Sequence, residues 1–192
     1  CPADSSGYID TDGDGAPDAL SLYRDLVEHP LVSLVSVMDH SPGQRQFTSI
    51  ETYKVYYMNK TGMTEEDFRQ FCDKRVSQSQ TYSNRHRKAI ADICREKGII
   101  LASHDDATME HVNEAATQGV RVAEFPTTQE AAKASREAGM QVLMGAPNVV
   151  RGGSHNGNLS ALDLISMGLC HALASDYHYP SPRRAALLRI PC

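Results

Sequence analysis

No stretch of this chain approaches the run of about 18 apolar residues that a membrane-spanning helix needs, and no charged-then-apolar leader opens it. A membrane partner is therefore not expected. Basic residues form no stripe and the net charge is −5, which argues against a nucleic-acid surface as the main partner and leaves only local Arg groups as anion sites. The five cysteines, Cys1, Cys72, Cys94, Cys170 and Cys192, are odd in number, scattered, and form no CxxC pair. Neither a disulfide framework nor a zinc knuckle is indicated, and a reducing cytoplasm is the expected compartment. Nothing in the sequence excludes a homo-oligomer.

Its 192 residues suffice for one substantial core, and one domain is the default. Three apolar runs each end in a metal-ligand residue type: 34–38 before Asp39-His40, 99–103 before His104-Asp105-Asp106, and 173–175 before Asp176. Parallel strands buried on both faces read as short continuous runs of this kind, and the loops at their C-terminal ends form the one rim where catalytic groups converge. A single His after a strand is usually a loop residue or cap. Three such positions in register, carrying imidazole and carboxylate, point to a metal-dependent hydrolase.

Strands alternate with helices along the chain. Residues 49–97 read as helical, with a capping box at Thr64 to Asp67, a second helix start at Ser83-Asn84 and Gly98 as the terminator. Helices are expected over 107–118, 128–138 and 159–167, and further strands over 120–125, 141–144 and 170–175. Five strands with helical connections make an α/β repeat, fewer than the eight units of a TIM barrel of about 250 residues. A segment of a longer barrel protein is expected. His86 and His111, in polar helical stretches, are expected at the surface, whereas His178 and Tyr179 either touch substrate or pack the rim.

Residues 1–18 read differently. Asp10, Asp12, Asp14 and Asp18 surround glycines as in the loops that wrap calcium with hard oxygen ligands, and the stretch resembles thrombospondin type 3 repeats. The twelfth loop position is Ser21 rather than a bidentate Glu, so a calcium site and a solvated acidic linker are both open. Domains are accordingly drawn as an Asp-rich leader over 1–18 and a partial barrel over 19–192.

Six motifs in order carry a more specific likeness: VMDHSPGQRQF (37–47), ASHDD (102–106), AEFPTT (123–128), MGAPN (144–148), RGGSHNGN (151–158) and SDY (175–177). Together they resemble the diphosphatases of phosphonate metabolism in the carbon–phosphorus lyase pathway, members of the amidohydrolase superfamily. The resemblance implies the C-terminal portion of a distorted TIM barrel and a divalent metal, zinc or manganese. It implies hydrolysis of a phosphorylated sugar phosphonate, α-D-ribose 1-methylphosphonate 5-triphosphate, to the 5-phosphate and pyrophosphate. By the same resemblance His40, His104 and Asp176 are metal ligands and Asp176 is also the catalytic base. Glu124 falls on the strand where the superfamily commonly has His, and is a substitute ligand.

Arg45, Arg151, Gly152, Gly153, Ser154, His155 and Asn156 suit phosphate binding. Glycines let backbone N–H groups approach, the helix expected from Leu159 presents its positive end, and Arg offers a bidentate fork. An ordinary Gly-rich connection with Asn158 as N-cap is the plainer alternative. Arg183 and Arg184 are weaker anion candidates. The superfamily's first-strand pair, two His one residue apart, does not occur in this sequence. The expectation is that the complete protein is a diphosphatase and that this chain alone binds metal poorly and has little activity. A non-catalytic phosphosugar- or phosphonate-binding module and a calcium-binding interaction segment are the alternatives.

Overall fold

The computed structural model describes residues 2–4, 19–43, 45–47, 49–154, 158–176 and 178–187. The chain falls into two compact units, Cys1–Leu101 and Ala102–Cys192. Among the described residues no helix is long and apolar enough to cross a membrane.

In the first unit, β1 (Pro2–Asp4) runs parallel to β2 (Leu34–Met38), with Pro2 opposite Ser36 and Asp4 opposite Met38. No strand was expected at residues 2–4, whose Pro and Asp are poor strand formers. Pro2 is tolerated because it is the first residue of its strand. Between the strands lies α1 (Ala19–Val27), and after β2 come α2 (Ile50–Thr61) and α3 (Glu65–Lys97). The start of β3 (Ile100–His104) closes the unit, with the Ile100 N–H on the Ser33 carbonyl at 3.0 Å.

The 33-residue α3 spans about 50 Å at 1.5 Å per residue. It starts at the expected capping box, where Thr64 accepts from the Asp67 N–H and Asp67 returns a bond to Thr64, and it stops at Gly98, whose φ of 67° suits glycine. The second helix start expected at Ser83-Asn84 does not occur. No Pro or Gly interrupts 65–97, and the Ser83 hydroxyl turns inward to a carboxylate instead of capping a new helix. α3 holds α1 through Tyr23 Oη and Cys94 Sγ, 3.0 Å apart, and the residue just after α1 through Lys97–Glu28 at 2.5 Å. At its other end Phe68 and Cys72 join Phe47 and Tyr53 in an aromatic cluster flanked by Tyr57, Met58 and Phe71. His86, expected at the surface, is buried and stacks on Tyr82 at 5.6 Å.

The second unit carries the rest of the repeat. β3 pairs in parallel with β4 (Val122–Glu124), β4 with β5 (Gln141–Gly145), and β5 with β6 (Ala172–Ala174). α4 (Met109–Thr117) and α5 (Gln129–Glu137) make the first two crossovers, α6 (Ala146–Arg151) and α7 (Ala161–Ser166) the third, and α8 (Ser181–Leu187) follows β6. This is an α/β fold of parallel strands alternating with helices, as expected of a barrel segment. Parallel order puts the C-terminal ends of β3 to β6 on one side of this unit. Its core is small and tightly packed: Ala131, Ala132, Val142, Ala146, Ala161 and Leu164 are all fully buried.

Two expectations shift here. α6 begins directly after β5, where no helix is expected from the sequence, and Pro147 in its first turn needs no N–H bond there. α7 begins at Ala161 rather than Leu159, so its N-cap is Ser160 and not Asn158. The Asn148 side chain brackets that start, accepting from the Ala161 N–H at 2.9 Å and donating to the Leu159 carbonyl at 3.2 Å.

Candidate functional site

His104 is the last residue of β3 and is buried. Its Nδ1 lies 2.7 Å from Asp105 Oδ2, and Asp105 is itself buried. The Asp105 N–H donates to the Glu124 carbonyl at 3.0 Å, tying the exit of β3 to the last residue of β4. Phe125, expected as the end of that strand, leaves it at φ 56°. Its N–H reaches the Leu143 carbonyl at 2.8 Å, and its ring meets His104 edge-on at 5.2 Å.

Asp105 (φ 59°), Phe125 (φ 56°) and Asp176 (φ 52°) all adopt the left-handed conformation just past a strand end. Each such non-glycine residue costs on the order of 1–3 kcal/mol, and strain of this kind collects at functional sites. Three instances at the ends of β3, β4 and β6 mark this rim of the unit.

Electrostatics joins the same residues. Burial is the largest influence on His104 and pushes its pKa down. The hydrogen bond and charge of Asp105, then the charges of Glu124 and Asp176, outweigh burial and leave it raised. Asp105 fixes Nδ1 and so leaves Nε2 as the nitrogen for a ligand or a proton. A carboxylate behind a histidine is the usual support of a metal-binding imidazole. The donor types of His104, Glu124 and Asp176 suit a divalent ion, with Glu124 half-buried and Asp176 exposed. Among the described residues no group of three or more His, Cys, Asp or Glu is closed around an ion position. The three residues thus match a divalent ion in donor type and are not gathered into a set that could hold one.

His40 lies in the first unit, two residues past β2, with its ring edge-on to Phe47 at 6.2 Å. Its neighbour Asp39 is the more elaborately held group. Asp39 Oδ1 accepts from the Ser41 N–H at 2.9 Å, and Oδ2 accepts from the Ser79 and Ser83 hydroxyls at 3.0 and 3.1 Å. Burial, the largest influence, raises its pKa, but the Ser41 and Ser79 bonds and the Arg87 charge bring it below the ordinary carboxylate value.

Of the phosphate-binding residues, Arg45 is buried in the loop after His40 at φ 42°. Arg151 ends α6 and is exposed, Gly152 follows at φ 78°, and Gly153 and Ser154 are half-buried. His155 and Asn156 lie outside the described residues, as do Asp10, Asp12, Asp14 and Asp18. The positive helix end expected for this segment starts later than supposed, and the Ala161 N–H is taken by Asn148. Arg183, Arg184, His178 and Tyr179 are exposed.

The structure thus brings His104, Glu124 and Asp176 together in one unit and places His40 and Arg45 in the other. Sequence reasoning missed Asp105 and Phe125 as supports of His104. It also missed the set of Asp39, Ser79, Ser83 and Arg87. The signal for that set was legible: Ser79, Ser83 and Arg87 recur at fourfold spacing on one helix face.

No protein-family model matches the chain. A crystal structure of an uncharacterized protein is similar with a TM-score of 0.48 and 14% identity, covering 97% of this chain and 50% of that one. The curated Alpha-D-ribose 1-methylphosphonate 5-triphosphate diphosphatase of Escherichia coli (strain K12) is 50% identical over 171 residues, or 89% of this chain. The chain spans 45% of that protein's length. Over most of its residues, then, the chain is related by sequence to one part of a diphosphatase, a part just under half its length.

Proposed function

We propose that the whole protein is a metal-dependent diphosphatase of the amidohydrolase superfamily, acting on the triphosphate of α-D-ribose 1-methylphosphonate 5-triphosphate, and that this chain carries part of its site. The observation that supports it best is the buried His104–Asp105 pair at a strand end, with Glu124 and Asp176 acting on the same imidazole. The 50% identity to a protein named as that diphosphatase supports the choice of substrate.

His104, Glu124 and Asp176 would hold a zinc or manganese ion, and His40 is proposed as a metal ligand on its sequence motif alone. When bound, such an ion acidifies water toward neutral pH and offsets phosphoryl charge. Asp105 holds the His104 ring in one orientation through Nδ1. The carboxylate of Asp176 takes the proton of the attacking water. Water oxygen adds to phosphorus, the anhydride bond between the α- and β-phosphoryl groups breaks, and pyrophosphate leaves. Arg151 would bind phosphoryl oxygens, a role the sequence also offers to Arg45; the Gly152 and Gly153 N–H groups are taken by the Val149 and Asn148 carbonyls, where they cap α6.

The test is pyrophosphate release by the full-length protein with zinc or manganese, compared with its Asp176→Asn variant. Turnover that depends on metal and is lost in the variant supports the reading. Tight binding of the sugar phosphonate with no turnover under saturating metal would favour a non-catalytic binding module instead.

A further inference from the structure

Along α3, Arg75, Ser79, Ser83 and Arg87 recur every fourth residue and so share one helix face. That face meets the residues that follow β2. Ser79 and Ser83 donate to Asp39 Oδ2, and the Ser41 hydroxyl donates to the Arg75 carbonyl at 3.5 Å. The Ser41 N–H closes back on Asp39 Oδ1, and Arg87 Nε reaches the Ser83 hydroxyl at 3.4 Å. His40 therefore stands between two residues that α3 holds, Asp39 by its carboxylate and Ser41 by its hydroxyl, and the Ser41 N–H ties those two to each other.

Packing alone does not call for this arrangement. α3 is already anchored by Phe68 and Cys72 at one end and by Cys94 at the other. A buried carboxylate carries a desolvation cost that apolar side chains of similar size would avoid. What the polar contacts add is direction: hydrogen bonds fix the angle at which the chain leaves β2, which apolar contacts do not.

We propose that Asp39, held by Ser79 and Ser83 of α3, is a positioning residue that sets the orientation of His40 for the reaction. The inference rests on the hydrolase reading for its catalytic consequence, and on the geometry alone for its structural one. Arg87 supports the arrangement by engaging Ser83 and balancing the Asp39 charge.

The test uses the full-length protein with Ser79→Ala and Ser83→Ala combined, and a second variant with Ser79→Thr and Ser83→Thr, which keeps both hydroxyls. The expected result is a fall in kcat for pyrophosphate release of about tenfold to 100-fold with KM within about threefold. The His40 imidazole NMR resonances shift or broaden in the alanine variant, and the threonine variant restores both readouts. His40 resonances that do not move in the alanine variant overturn the proposal whatever the rate does. So does an unchanged kcat in an active protein. If the unsubstituted protein releases no pyrophosphate, the hydrolase reading fails, and the His40 resonances alone decide for or against the positioning role.

Discussion

Asp105 Oδ2 stands 2.7 Å from His104 Nδ1, and both residues are buried at the end of β3. The pair fixes Nδ1 and leaves Nε2 as the ring nitrogen for a ligand or a proton. Asp105→Asn keeps the shape and removes the charge behind the ring. Affinity of the full-length protein for zinc or manganese is expected to fall by about 10–100-fold, measured by calorimetric titration. Unchanged affinity would show that His104 is not supported this way.

Asp39 gives the fold a specific acid dependence. Its folded pKa lies below the unfolded value of 3.8, so the stability it contributes is present above that value and is lost as pH falls through the folded pKa. Hydrogen bonds to a charged group are worth about 1.5–3 kcal/mol. Asp39→Asn is expected to lower stability at pH 7 by about that amount and to flatten the loss of stability between about pH 4 and the acid limit. Urea unfolding at several pH values measures both. An equally steep acid limb in the variant would place the dependence elsewhere.

Asn148 bridges the start of α7, with one bond to the Ala161 N–H and one to the Leu159 carbonyl. Asn148→Ala removes both and is expected to cost about 1–2 kcal/mol in thermal or denaturant unfolding. Asn148→Asp keeps the acceptor for Ala161 and is expected to recover part of the loss. If alanine proves neutral, the bracket contributes nothing to that turn.

The strand and helix order was legible where local chemistry and tertiary structure agree. The apolar runs at 34–38 and 141–144 became β2 and most of β5, and Thr64 and Gly98 bounded α3 as their side-chain and backbone chemistry dictate. What stayed hidden depended on contacts between distant residues. Ser83 resembles a helix start locally, but its hydroxyl serves Asp39, 44 residues away in sequence. Phe125 looks like a strand residue because it is apolar, yet its N–H bond to Leu143 accompanies a left-handed turn. His86 lies among polar neighbours in sequence and is buried against Tyr82 all the same. At the site, strand-end position identified His104, while its partner Asp105 emerged only from geometry.

Asp176 is proposed as the base beside a divalent ion held with His104 and Glu124. The most direct test is pyrophosphate release from α-D-ribose 1-methylphosphonate 5-triphosphate by the full-length protein, with bound metal quantified in the same samples. Asp176→Asn is expected to lower kcat by about 100-fold or more, and His104→Ala to reduce bound metal. Full turnover by Asp176→Asn, or undiminished metal in His104→Ala, would contradict the proposal.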